Sequence, residues 1–453
     1  MTAIVRFAPS PTGYIHIGNL RVVLFNWLLA QKSQGQFVLR FDDTDKARSE
    51  QKYADAILED LAWLSVVPDR IAYQSHRSDR YDALAEKLKA EGLLYACYET
   101  ADELDRKRKR QRARGLPPVY DRTGYFLTDE EKTEKEAQGR RPHWRFLLPN
   151  FQSDPRSPEK TDVVWDDLCR GQQSVDLSSM SDPVLIREDG SYLYTLPSII
   201  DDIDMEITHV VRGEDHVANT GVQISIFKAL GGNVPIFAHH NLLVGGDGAG
   251  LSKRNESLSL RGLREEGFEP LAVAALSALI GTSNPVEPIS ALSDLVETFD
   301  FGKISRAPAR FEPSDLATLN AKTLHALPYS AVAERLKGLD ADGGEALWDI
   351  ARENLEKLSD IRTWVGIMGG HVQPIIETED REFINQARAL LPPEPWSEQT
   401  WKDWTDRVKT QSGRKGRGLF MPLRKALTGM EHGPELKRLL PLIGRQNSLD
   451  RLS

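Results

Sequence analysis

Near the N-terminus, Ile4-Val5-Arg6-Phe7 is a short apolar run halted by Pro9 and Pro11, the pattern of a strand cut off by residues that cannot donate to a ladder. Leu20, Val23, Leu24, Trp27 and Leu28 then recur at three- and four-residue spacing and predict a helix over 18–33. A buried strand is expected at Phe37–Phe41, running into Asp42-Asp43-Thr44-Asp45, with a helix from about Glu50 to Leu64. Strand, helix and strand in so short a span make a parallel βαβ unit. Ligands of such sheets bind beyond the carboxyl ends of the strands, where Arg6, His16 and Asp42 fall.

The pattern then changes. An amphipathic helix is predicted from Arg80 to Leu94, followed by one over Ala101–Gly115 in which Arg106 to Arg114 is almost continuous positive charge. Polar, proline-bearing sequence continues to about Val175 and reads as an insertion. The sheet pattern is expected to resume at Val184-Leu185-Ile186, then Ile207–Val211, a helix over Thr220–Leu230 and a last strand over Pro235–Leu243. After Lys253 the chain reads as mainly helical.

A length of 453 residues exceeds what one core can fill, so two to four domains are expected. No long apolar run or signal-peptide layout is present, which predicts a cytoplasmic protein with no membrane partner. The two cysteines, Cys97 and Cys169, cannot form a disulfide framework. A net charge of −9 argues against a general nucleic-acid coat, although local basic patches can still hold RNA.

Candidate chemistry sits in two segments. Pro9-Ser10-Pro11-Thr12-Gly13 leads to His16-Ile17-Gly18-Asn19, and Gly250-Leu251-Ser252-Lys253-Arg254 ends a glycine-rich loop. His16 at a helix start can donate to a phosphate oxygen alongside the helix's own partial positive charge. Lys253, on a loop with Gly245, Gly246, Gly248 and Gly250, can swing onto a leaving pyrophosphate. Alone, His16 would read as a helix cap and Lys253 as solvated surface; their pairing changes that.

Arg6–Gly13 with His16-Ile17-Gly18, Arg40-Phe41-Asp42-Asp43-Thr44-Asp45, Val211–His216, Leu251–Arg254 and Pro422–Gly429 together resemble the glutamyl-tRNA synthetases, class I enzymes, over essentially the whole chain. The resemblance implies an α/β Rossmann-like catalytic domain with an α+β insertion, followed by all-α stem-contact and anticodon-binding domains. It divides the chain into 1–78 and 184–243 (the catalytic halves), 79–183 (an acceptor-stem insertion), 244–315 (signature loop and stem contact) and 316–453 (anticodon binding). It implies ATP with Mg²⁺, L-glutamate and a glutamate-accepting tRNA as partners, with a glutamine-accepting tRNA as a further candidate, and a monomer. Catalysis is assigned to His16 and Lys253. ATP binding adds Pro9, Ser10, Gly18, Asn19, Glu214, Ser252 and Arg254. Gly18 is expected to clear space for the adenine ring.

For glutamate, two guanidinium forks suit two carboxylates, and an acid suits the ammonium. The resemblance gives these roles to Arg6, Arg212 and Asp42, with hydroxyls from Ser10 and Tyr194; Tyr194 is preferred to Tyr192 by its distance to Asp201-Asp202. Arg414, Lys415, Arg417 and Arg424 are the tRNA candidates. The basic run at Arg106–Arg114 reads as a solvated helix face, with RNA phosphate as its other reading. His239-His240 read as strand-end histidines, and Trp396, Trp401 and Trp404 as packing anchors.

The chain departs from the family pattern at Asn19 (usually His), Gly250 (usually Lys), Asp42 (usually Glu) and Cys97-Tyr98-Glu99, where zinc-bearing members have Cys-x-Cys. With no second cysteine nearby, no zinc is expected. The alternatives are a glutaminyl enzyme, which Asp42 suggests, and a catalytically weak RNA-binding relative, which Asn19 and Gly250 suggest.

Overall fold

The apolar run at the start is strand β1 (Ile4–Phe7), paired in parallel with β2 (Gln36–Phe41), which pairs in parallel with β3 (Arg70–Tyr73). The computed structural model describes residues 2–45, 47–248 and 258–453. Helix Ile17–Lys32 makes the crossover from β1 to β2, and Leu20, Val23, Leu24 and Leu28 are buried on it as their spacing requires. Arg21 is buried on the same helix; its guanidinium donates to the carbonyls of Ser277 and Ile280 and to Asn241, which offsets part of the cost of burial. Helix Gln51–Trp63 joins β2 to β3.

The next strands depart from expectation. They are β4 (Leu94–Cys97), β5 (His143–Phe146), β6 (Asp162–Asp167), β7 (Gly171–Asp176) and β8 (Val184–Ile186). Val184–Ile186 does not resume the nucleotide sheet; β8 pairs antiparallel with β5 in a separate sheet ordered β4-β5-β8. The sheet resumes earlier, within the polar stretch: β6 pairs with β7 and, at Asp167, in parallel with Phe237 of β10 (Ile236–His240), which follows β9 (His209–Gly213). In β6 a three-residue apolar run, Val163-Val164-Trp165, is flanked by acids, and only Trp165 and Asp167 are buried, so the strand looks polar in a linear reading. The expected strand over Pro235–Leu243 is also two, β10 and β11 (Leu243–Gly245), and β11 pairs with β12 (Ala309–Phe311).

β1 and β9 meet through Thr208, whose N–H donates to the Ile4 carbonyl at 2.9 Å while its hydroxyl accepts from the Ile4 N–H at 2.8 Å. The strands therefore run β3-β2-β1, then β9-β10-β6-β7, and the winding reverses between β1 and β9. A crevice at such a reversal, beyond the carboxyl ends, is where doubly wound sheets bind ligands. Val38, Val210, Ile224, Trp165 and Phe237 pack in one core around the junction.

The chain forms two compact units: Met1–Leu263 with Ala274–Val286 and Ala291–Glu312, and Arg264–Val273 with Glu287–Ser290 and Pro313–Ser453. The second is helical from Pro313–Ala326 onwards, around a core that includes Trp348 and Trp404. No helix of the described residues is long and apolar enough to cross a membrane.

Candidate active site

A cavity of about 500 Å³ opens at the carboxyl ends of β1, β2 and β9, and Pro9, Ser10, His16, Gly18 and Asn19 form one part of its wall. His16 caps helix Ile17–Lys32, its Nδ1 accepting from the Gly18 N–H at 3.1 Å. Burial pushes the imidazole pKa down, so it is neutral, and the ring proton is left on Nε2. The helix-cap and site readings of His16 are therefore one arrangement: the cap orients the ring, and the ring's remaining donor serves a site at a helix N-terminus. Gly18 is needed by His16 itself, because a Cβ there would stand 2.9 Å from the His16 Cε1.

The opposite wall is ionic. Arg6, Asp42, Tyr194 and Arg212 all line it. Arg40 lies fully buried beneath, its Nε 2.7 Å from Asp42 and its Nη1 2.7 Å from Asp202, which also accepts from the Arg6 Nε at 3.2 Å. Ser198 donates to Asp42 at 3.2 Å. Burial raises the Asp42 carboxyl pKa more than the Arg40 pair lowers it.

Arg212 differs from its neighbours. Its Nε donates to His239 at 3.1 Å and its Nη2 to Thr220 at 2.8 Å; among the described residues no carboxylate pairs with it. Burial, with Arg6 nearby, pulls its pKa down to about 10. A buried guanidinium with no carboxylate in contact is costly, and an anionic ligand offsets part of that cost. Tyr194 accepts from Asn219 at 3.3 Å, whereas the Tyr192 hydroxyl donates to Asp82 and lies off the cavity wall.

Glu214 is not on that wall. It pairs with Arg170 at 2.5 Å, and Asp215 and His216 line the cavity in its place. The short turn Glu214–His216 after β9 turns its side chains in different directions, and linear sequence does not set which faces inward. Gly250, Ser252, Lys253 and Arg254 lie outside the described residues. His239 lies near the end of β10, as its strand-end reading expects, and has a hydrogen-bond partner: its Nδ1 is 2.5 Å from Asp167.

In the second unit, Arg414 is engaged by Asp380 and stacks 4.3 Å over Phe383, while Lys415 is exposed. Arg417 and Arg424 share a cavity of about 370 Å³ with Trp401 and the exposed Phe420. The buried Arg424 Nη1 has no hydrogen-bond partner among the described residues. Trp404 is a packing anchor as expected, wholly buried with its indole N–H on the Ala387 carbonyl; Trp401 is only partly buried.

The fold brings His143 to Cys97 and Glu99, with one possible ligand atom from each lying within 4.8 Å of the others. Tyr120 donates to Glu99 at 2.8 Å, and the Lys107 ammonium lies 3.2 Å from it. Burial pushes the Cys97 thiol pKa up to about 12. A divalent cation would have to displace Lys107 and ionise that thiol, so the donor set as arranged does not fit zinc.

The reversed parallel sheet with its crevice, entered by a capped His-x-Gly turn, defines a nucleotide-binding fold of the class I synthetase kind. Residues 2–318 match the family described as tRNA synthetases class I (E and Q), catalytic domain, and residues 331–453 match an anticodon binding domain. The sequence is 57% identical, over 100% of both chains, to glutamate–tRNA ligase 1 of Brucella canis and to glutamate–tRNA ligase 2 of Brucella melitensis. A solved glutamate tRNA ligase from Elizabethkingia meningosepticum, in complex with its amino acid, superposes with a TM-score of 0.85 at 26% identity, covering 100% of this chain and 98% of its own. The chain belongs to the class I tRNA synthetases for glutamate and glutamine.

Proposed function

We propose that this protein is an ATP-dependent glutamate–tRNA ligase, acting as a cytoplasmic monomer. The observation that carries the reading is the buried Arg212, with no carboxylate paired to it among the described residues, sharing one cavity with Arg6, Asp42 and the His16 turn. Arg212 takes the side-chain carboxylate of glutamate, Arg6 the α-carboxylate, and Asp42 the ammonium, with Ser10 and Tyr194 supplying hydroxyls. Asp42 is already neutralised from behind by Arg40, which leaves its front edge for a second cation.

The α-carboxylate oxygen attacks the α-phosphorus of magnesium-bound ATP, and pyrophosphate departs. His16 Nε2–H donates to the phosphate oxygens where negative charge accumulates, and Pro9, Ser10, Gly18 and Asn19 bound the nucleotide's side of the cavity. Lys253, flanked by Ser252 and Arg254, draws off the pyrophosphate. A ribose hydroxyl of the terminal adenosine of the tRNA, the 2′-hydroxyl in class I, then attacks the acyl carbon and AMP leaves.

For the RNA, the cavity of Arg417 and Arg424 offers Trp401 and Phe420 as stacking surfaces beside two guanidinium groups, which suits an unstacked anticodon base. Arg414 and Lys415 add backbone contacts. No zinc is needed in the insertion, where Lys107 and Tyr120 already satisfy Glu99. The glutaminyl alternative is not favoured: Arg212 offers only donors, which match a carboxylate and oppose the amide NH₂ of glutamine. Pyrophosphate exchange with glutamate, ATP and tRNA tests the reading. Lys253→Ala should slow exchange by roughly a hundredfold or more, the cost of one preorganised donor; an unchanged rate refutes the catalytic assignment.

A further inference from the structure

Behind Arg212, on the side away from the cavity, lies a buried chain of hydrogen bonds that no catalytic role accounts for. Asp167, at the end of β6, accepts at Oδ1 from the backbone N–H groups of Cys169, Arg170 and His239, at 3.0, 3.0 and 3.1 Å. Its Oδ2 is 2.5 Å from His239 Nδ1. An ionised carboxylate only accepts, so the His239 proton sits on Nδ1 and the Nε2 lone pair is exposed on the far side of the ring. That lone pair accepts from the Arg212 Nε–H at 3.1 Å. Thr220 completes the clamp: it accepts from Arg212 Nη2 at 2.8 Å and lies 3.1 Å from the same His239 nitrogen. The imidazole is wholly buried, parallel to the Phe237 ring at 6.0 Å and edge-on to Trp165.

We propose that His239, fixed in one tautomer by Asp167, is a positioning residue that holds Arg212 so that its Nη1/Nη2 edge meets the side-chain carboxylate of the amino acid. This inference rests on the reading of Arg212 as the glutamate-binding guanidinium. Arginine has two edges suited to paired hydrogen bonds, and the Nε/Nη2 edge is taken by His239 and Thr220. The remaining edge presents donors alone. A carboxylate satisfies both, whereas a carboxamide turns one donor against another, so the clamp also selects acid over amide. The alternative tautomer would set an Nε2–H against the Arg212 Nε–H and release the guanidinium.

The test is steady-state charging of the purified full-length protein, with KM measured separately for glutamate and for ATP. His239→Phe removes the acceptor at nearly constant volume and should raise the glutamate KM by about tenfold or more, with the ATP KM within about twofold. His239→Gln can place its amide oxygen near the lost Nε2 and should stay within about threefold of the parent. Asp167→Asn gives a second variant, in which an NH₂ facing Nδ1 favours the wrong tautomer and reproduces the Phe effect. Equal losses for glutamate and ATP, or equal losses in the Gln and Phe variants, would reveal a merely structural histidine and overturn the proposal. Arg212→Gln separates the two layers. If it leaves the glutamate KM unchanged, the reading of Arg212 fails. If it raises that KM while His239→Phe does not, only the positioning role fails.

Discussion

The His16 imidazole reaches its backbone partner only because residue 18 has no side chain; a Cβ there would lie 2.9 Å from Cε1 and 3.0 Å from Nδ1. Gly18→Ala should therefore displace the ring while the helix persists, since alanine in a helix regains roughly 0.5–1 kcal/mol over glycine. Thermal unfolding near the parent value, with charging reduced about tenfold or more, is the expected result. The same cap sets a pH dependence. The folded pKa of His16 lies below its ordinary 6.5, so the cap's contribution is complete above that value and is lost as pH falls through the folded pKa. At this scale the sequence was informative where chemistry demands a residue type: Arg6, His16, Asp42 and Arg212 all reach one cavity. It was uninformative where side-chain direction decides. Glu214 and its neighbours Asp215 and His216 are equally polar, and only the turn after β9 separates them. Asp167 and Asp202 were hidden for another reason, since their partners lie far along the chain.

Helix Glu398–Ser412 is held by Trp404, which is fully buried and donates to the Ala387 carbonyl at 2.9 Å. Trp404→Ala should cost about 3–5 kcal/mol, seen as a lower urea midpoint. Helix Ala101–Ala113 has no fully buried residue and relies on polar contacts, from Lys107 and Gln111 along its length and from its first turn. There Thr100 and Glu103 exchange side-chain-to-backbone bonds, and Arg140 grips the Glu103 carboxylate, whose pKa falls to about 2. The depressed pKa means that this contribution is complete above the unfolded value near 4.5 and fades as pH falls towards the folded one. Exposure limits it to about 1 kcal/mol or less. Amide protection in the first turn should weaken over that acid range, and Glu103→Gln should flatten the dependence. The helices that begin near Gly18, Glu50 and Arg80 were legible because apolar residues recur at helical spacing, whereas the stretch after Lys253 was read only as mainly helical. Strand β6 was not, because a strand covered by a single large side chain, Trp165, has little pattern to read.

The whole chain carries 58 lysines and arginines against 67 acids, so at low salt its overall field repels RNA. Affinity must come from local cations, and it should fall steeply with ionic strength. Arg417→Ala should weaken tRNA binding and reduce the slope of log affinity against log salt by about 1, measured by fluorescence titration; an unchanged slope would remove Arg417 from the phosphate contacts. The family was readable along the full length because its motifs are local. The way the sheet is assembled was not, because that is a matter of which distant strands pair.

The pairing of β6 with β10 also bears on the order in which the molecule can be made. Residues 162–167 leave the ribosome well before Ile236–His240, the strand they must lie against. Until β10 emerges, the β6–β7 hairpin can close on itself, but Trp165 lacks Phe237 and the strand that ties β6 into the sheet. A nascent chain stopped before Ile236 should thus display that indole to chaperones, and one extended far enough beyond His240 for β10 to clear the exit tunnel should conceal it. The nucleotide sheet is finished from its middle last, with β10 sliding between an edge already made and a centre already waiting.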